Sequence, residues 1–202
     1  MKKNKEPSLN DMDVQFLELI KSGDRNAFNE LVQKYEGRLY NFGLKICKDV
    51  GDAEDLVQET FINVFKSLSG FRNETKFKNW LYKIAANACW RIKRKSKFAP
   101  EKELSLEDFI PADHSKIEKK VPDWASAPVE RLLNNELSLK IKEGIDALPD
   151  SYKLVLVLRD MEGFSTDETA SILSITSQNV KVRLHRARLF LREELKDYYE
   201  SG

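Results

Sequence analysis

The feature that most constrains this chain is the spacing of its apolar residues. They recur every three or four positions over most of the sequence, and that rhythm fails for one long stretch that holds four of the six prolines. Asp24 reads as an N-cap, and Phe28, Leu31, Val32, Tyr35, Leu39, Phe42 and Ile46 follow at helical intervals. A second helix is predicted from about Asp52, with Ala53, Leu56, Val57, Phe61, Val64, Phe65 and Leu68 on its inner stripe. A turn-like run, Ser69 to Thr75, precedes a third helix predicted from about Lys76 to Lys95.

The rhythm then fails. Residues 96–130 carry Pro100, Pro111, Pro122 and Pro128 and little periodicity, so they read as an extended linker. Glu101, Glu103, Glu107, Asp108 and Asp113 make its first half acidic. Helical spacing resumes near Arg131, through Leu133, Leu137, Ile141, Ile145 and Leu148, and stops before Pro149. The run Leu154 to Leu158 suits a strand by propensity. Pro149 followed by Asp150 is a good helix opening, and the neighbours are helical, so helix is predicted. The expected fold is all-α: two small helical domains, 1–95 and 131–202, joined by the linker 96–130. At 202 residues the chain is long enough for two such domains. Its 33% charged content suits small domains with much surface per core, and its 8 glycines argue against a turn-rich barrel or sandwich.

Charge excludes one simple idea. With 34 basic and 33 acidic residues the net charge is +1, so no blanket attraction to nucleic acid exists and local faces must supply any binding. Cys47 and Cys89 stand far apart, His114 and His185 are isolated, and no CxxC occurs, so neither a zinc site nor another metal or cofactor is expected. The thiols read as small buried hydrophobes in a reducing compartment. The basic start, Met1 to Ser8, has no apolar run behind it, and no stretch approaches the roughly 20 residues of a membrane span. A soluble, cytoplasmic protein without membrane insertion is expected.

Local faces are where the chemistry sits. Ser165 and Glu168 have the spacing of a capping box ahead of Ala170, Ile172 and Leu173, and Thr176 can cap the next helix. In that helix Val180, Leu184, Ala187 and Leu191 form a core stripe. Lys181, His185, Arg188 and Arg192 lie opposite, flanked by Arg183 and Arg186. Two short helices with a basic second member match a helix-turn-helix that reads duplex DNA. Many such turns carry glycine where this chain has Ser174, so the turn leans on Ile175 packing inward. The alternative is a merely solvated face.

The third predicted helix has a core side, Phe77, Leu81, Ile84, Ala85, Ala88 and Ile92. Its other side holds Lys76, Trp80, Lys83, Asn87, Trp90, Arg91 and Arg94. Rings beside cations suit unpaired DNA: bases stack on rings, cations hold phosphates, and an amide pairs with a base edge. Trp80 and Trp90 serve equally well as lids on the core. The second helix is acidic instead, with Asp52, Asp55 and Glu59 on one face beside Glu54 and Gln58. That face suits a basic partner, or plain solvent. A metal-dependent nuclease is a third reading, but it lacks histidines and a second acidic cluster. A conventional helix-turn-helix regulator with a sensor domain is a fourth, and it has no use for a single-strand surface.

In combination these segments resemble the sigma-70 family, in its extracytoplasmic-function group. Asp52 to Phe61 is similar to that group's core-binding signature in region 2, and Phe77 to Asn87 to its promoter-melting helix. Ala147-Leu148-Pro149, Gly163-Phe164-Ser165 and Val180 to Arg188 resemble region 4. The resemblance implies a non-enzymatic subunit that directs RNA polymerase to promoters, with no catalytic residue of its own. It implies that Asp52, Asp55, Gln58 and Glu59 dock on the beta-prime clamp of core polymerase, and region 4 on the beta flap. Phe71, Lys76, Trp80, Lys83, Asn87, Arg91 and Arg94 would serve the minus-10 element, where bases are flipped out. Lys181, Val182, Arg183, His185, Arg186 and Arg188 would serve the minus-35 element. It also implies an anti-sigma partner and an acidic linker that threads toward the polymerase cleft.

Overall fold

The structure, a computed structural model, describes residues 9–47, 49–72, 75–96, 135–196 and 198. The linker reading, 96–130, falls outside them apart from Ser96. The chain divides into two compact units, Met1–Ser96 and Lys97–Gly202. Every described element is helical.

Among its described residues, unit one has four α-helices. α1 spans Leu9–Lys21, α2 Arg25–Ile46, α3 Val50–Ser67 and α4 Phe77–Ser96; a short 3-10 turn, Leu68–Gly70, extends α3. Asp24 caps α2 as expected, accepting from the backbone of Asn26 at 2.8 Å and of Ala27 at 3.3 Å. The cap of α3 is Asp49, which accepts from Gly51 N at 2.6 Å and Asp52 N at 3.3 Å; the predicted start at Asp52 is already inside the first turn. α3 packs between α2 and α4, and α1 leans on α2. Leu31, Leu39, Phe42, Ile46, Leu56, Val64, Leu81 and Tyr82 form the core, and Phe42 meets Tyr82 edge to face at 5.2 Å. Each such side chain stabilises the fold by roughly 1.5–3 kcal/mol. Both cysteines are buried here, and they are not joined in a disulfide.

One glycine is a packing requirement. A Cβ on Gly43 of α2 would stand 3.1 Å from both Cα and Cβ of Ala53 in α3, so the two backbones meet at a pair of small residues. The structure differs from the expected α3 stripe at Phe65, which is 64% exposed and lies edge to face on Phe28 at 5.3 Å. The buried line runs through Ala53, Leu56, Thr60, Phe61, Val64 and Leu68, with Thr60 filling a place that an apolar residue would hold.

α1 was not anticipated from the sequence. Its buried anchor is an acid: Asp13 is 3% exposed and accepts from Lys34 Nζ at 2.6 Å and from the Tyr35 hydroxyl at 2.6 Å. Polar residues at apolar positions broke the rhythm that would have revealed the helix. Its end carries local stop signals, Lys21 in the last turn and Gly23 following at φ +100°.

Unit two has α5 Asn135–Ala147, α6 Asp150–Leu156 running into a π-helical turn Val157–Met161, α7 Thr166–Leu173 and α8 Ser177–Glu194. Residues 131–134, where α5 was expected to begin, lie outside the described set. The strand-like run is helical. Pro149 opens α6, its carbonyl accepting from Tyr152 N at 2.9 Å and Lys153 N at 3.0 Å. Leu154 to Leu158 are all buried, which explains the missing periodicity: a helix enclosed on every side has no polar face. Lys153 is buried too, its Nζ 3.2 Å from the Asp146 carbonyl oxygen and 3.4 Å from its carboxylate at the end of α5. Ile145, Leu148, Val155, Leu156, Ala170, Val180, Leu184, Ala187 and Leu191 make one core.

Candidate nucleic-acid interface

Each of the two surfaces rests on local anchors. In unit two the capping box is closed: Ser165 Oγ accepts from Glu168 N at 3.2 Å, and Glu168 Oε2 accepts from Ser165 N at 2.9 Å. α7 ends on Ser174 in the left-handed conformation, φ 55° and ψ 43°, and Ile175 then folds toward the core. Thr176 caps α8, its Oγ1 accepting from Asn179 N at 3.1 Å. The Ser177 hydroxyl donates to Asp167 Oδ1 at 2.6 Å and ties the start of α8 to α7. Val180, Leu184, Ala187 and Leu191 are buried as the spacing predicts.

On the outer face of α8, Lys181, Val182 and His185 are exposed, and Arg183 and Arg186 are half-buried. Arg188 differs from its neighbours. Its guanidinium forms a two-point pair with Asp160, Nε to Oδ2 at 2.9 Å and Nη2 to Oδ1 at 2.7 Å. The sequence shows the cation, but its partner stands 28 positions earlier.

In unit one Asn87 and Lys76 are exposed on α4 and its approach, and Trp80 and Lys83 are half-buried. The Phe71 ring is 7% exposed and packs on Trp80 at 4.7 Å and edge to face on Phe77 at 6.1 Å. It is a foundation of the loop rather than an open platform. Lys21 of α1 donates to the Phe71 carbonyl at 2.7 Å, a contact that sequence reasoning missed along with α1 itself. The side chain of Arg94 lies outside the described set.

The acidic face of α3 lies next to this surface. Asp55 and Gln58 are exposed, Asp52 and Glu59 half-buried. Glu59 pairs with Arg91 of α4 at 3.0 Å, joining residues read separately from the sequence as acidic and basic faces. Arg91 is exposed and Glu59 only half-buried, so solvent screens the pair, which stabilises the fold by about 0–1 kcal/mol and separates readily. Among the described residues no group of three or more His, Cys, Asp or Glu side chains could hold a metal ion, and no helix is long and apolar enough to cross a membrane.

Comparison with known proteins places both units. Residues 31–98 match the family model for sigma-70 region 2, and residues 138–191 the model for sigma-70 region 4. The ECF RNA polymerase sigma factor SigW of Bacillus subtilis is 34% identical over 178 residues, covering 88% of this chain and 94% of that protein. The RNA polymerase sigma-H factor of Pseudomonas aeruginosa is 29% identical over 181 residues, covering 88% and 91%. Among solved structures, CnrH in complex with the cytosolic domain of CnrY has a TM-score of 0.64 at 23% identity, covering 92% of this chain and 98% of that one. RpoE of Bartonella quintana in complex with the anti-sigma factor NepR has a TM-score of 0.58 at 21% identity, covering 84% and 96%. With both region models matched in order, and a relative of this identity over nearly its whole length, the chain belongs to the sigma-70 family, in its extracytoplasmic-function group.

Proposed function

We propose that this protein joins core RNA polymerase in the cytoplasm, directs initiation at a defined promoter set, and catalyses nothing itself. The observation that carries the reading is the pairing of two matched regions with two unlike exposed surfaces. α8 presents Lys181, Val182 and His185 on a rigidly capped helix, which suits readout of a minus-35 duplex. α4 presents Asn87, Lys83 and the half-buried Trp80, which suits flipped bases of a minus-10 element. In this reading Phe71 supports the loop that receives those bases, and Arg91 binds phosphate once it leaves Glu59. Asp52, Asp55, Gln58 and Glu59 dock on the beta-prime clamp, and unit two meets the beta flap.

An anti-sigma factor that covers these surfaces is part of the same reading, supported by the similar fold of the sigma factor RpoE of Bartonella quintana, which was solved with the anti-sigma factor NepR bound. The test is reconstitution: purified protein is added to core polymerase with random promoter fragments, and the run-off transcripts are sequenced. A shared upstream motif among the transcribed fragments is expected. Absence of promoter-dependent initiation overturns the proposal, and metal-dependent DNA cleavage lost on Asp55→Ala would replace it with an enzyme.

A further inference from the structure

The π-helical turn after α6 carries two consecutive charged residues, and both reach the helix-turn-helix. Arg159 Nη1 donates to the carbonyl of Phe164, one residue before the cap of α7. Asp160 takes the two-point bond from Arg188 in α8 described above. The Asp160 side chain is 5% exposed and that of Arg188 32%. A fork between two planar groups fixes orientation as well as distance.

Orientation is what the apolar core of α8 lacks. Val180, Leu184, Ala187 and Leu191 hold the helix down, but aliphatic contacts are non-directional and tolerate small rotations. A rotation of ~10° about the helix axis moves side-chain tips, at a radius of ~6 Å, by on the order of 1 Å. That displacement matters little to a phosphate contact and much to a hydrogen bond with a base edge. The pair has a second effect. An uncompensated arginine on this face would add a phosphate contact that strengthens every sequence alike; Asp160 neutralises it.

We infer that Asp160 is a positioning residue for promoter readout: through Arg188 it sets the rotation of α8 and removes that arginine from the DNA-contacting set. The inference rests on the reading of α8 as the minus-35 reader, and it turns Arg188 from a DNA contact into part of the mount.

The test uses holoenzyme reconstituted from the full chain and core polymerase. It compares affinity for a selected promoter fragment with an intact minus-35 element against one with that element scrambled, over a range of salt and well below each variant's melting midpoint. If wild-type protein shows no difference between the fragments, the minus-35 reading itself fails, whatever Asp160 does. Given discrimination, Asp160→Asn and Arg188→Gln should each lower the affinity ratio about tenfold, the scale of one base contact. The double variant should lower it no further, and Arg188→Lys should retain part of it. Two results would overturn the inference: unchanged ratios, or an Arg188→Gln variant that weakens both fragments alike and reduces the salt slope by about one phosphate. A purely structural pair is separated by adding Ser174→Gly to Asp160→Asn. Recovery of thermal stability with the ratio still low is expected, and recovery of both would refute a positioning role.

Discussion

Ser174→Gly should stabilise unit two, and its size can be worked from the backbone. Ser174 closes the turn between α7 and α8 at φ 55° and ψ 43°, and it is the one non-glycine residue with positive φ among the described residues. Left-handed backbone costs an L-residue roughly 1–2 kcal/mol, and glycine about nothing. Glycine returns part of that gain, roughly 0.5–1 kcal/mol, through the greater freedom of the unfolded chain. The side chain is exposed, so its removal opens no cavity, and the Ile175 backbone bond to the Ala170 carbonyl at 3.0 Å is unaffected. The net stabilisation is about 0.5–1 kcal/mol, or ~2–8 °C in melting midpoint for a domain of this size. Differential scanning calorimetry of the full chain reads it as a rise in one of two transitions, the other staying fixed. An unchanged or lowered midpoint would show that the turn is not strained and would refute the reasoning.

Three further outcomes follow from contacts already described. Lys181→Ala with Arg186→Ala should weaken dependence on the minus-35 element and leave core binding intact, while Asp55→Ala with Glu59→Ala should do the reverse; equal effects of both pairs on core-binding and promoter-competition assays would defeat that division. Burial and the hydrogen bond to Asp13 hold the Tyr35 phenol well above its ordinary value of 10.0. The folded state therefore keeps a proton that the unfolded state loses above pH ~10, so the contribution is complete below that pH and falls by about 1.4 kcal/mol per pH unit above it. Urea titrations at rising pH should show this excess slope in wild type and not in Tyr35→Phe, and parallel slopes would contradict it. Gly43→Ala should destabilise unit one by about 1–2 kcal/mol, since the gain in helix propensity is outweighed by pushing α2 away from Ala53; a raised melting midpoint would mean that the backbones part without strain.

Much of this was legible in the sequence where the signal was local. The Asp24 cap, the Ser165 to Glu168 capping box, the Thr176 cap and the buried stripe of α8 are each set by residues within a few positions of one another. What escaped notice depended on distant partners. α1 is anchored by Asp13, whose bonds reach Lys34 and Tyr35 more than twenty positions on. Arg188 looked like its basic neighbours because nothing near it in sequence reveals Asp160. Glu59 and Arg91 belonged to faces read separately, and only the packing of α3 on α4 joins them. Phe65 lies off the buried line of α3, and Thr60 lies on it, a polar residue that a pattern built on apolarity alone passes over.

The enclosed helix α6 has a consequence for the chain before it folds. Leu154 to Leu158, five uncharged apolar residues in a row with two β-branched valines among them, is a strip that can pair with its own kind wherever it is laid bare. Its two valines favour a strand and its three leucines accept a helix, so the surrounding core decides between them. Until that core closes, protection falls to the flanks, with Pro149 and Lys153 on one side and Arg159 and Asp160 on the other acting as gatekeepers against sheet growth. The charges that clamp unit two once it is folded are thus also the ones that keep its unfolded form from aggregating.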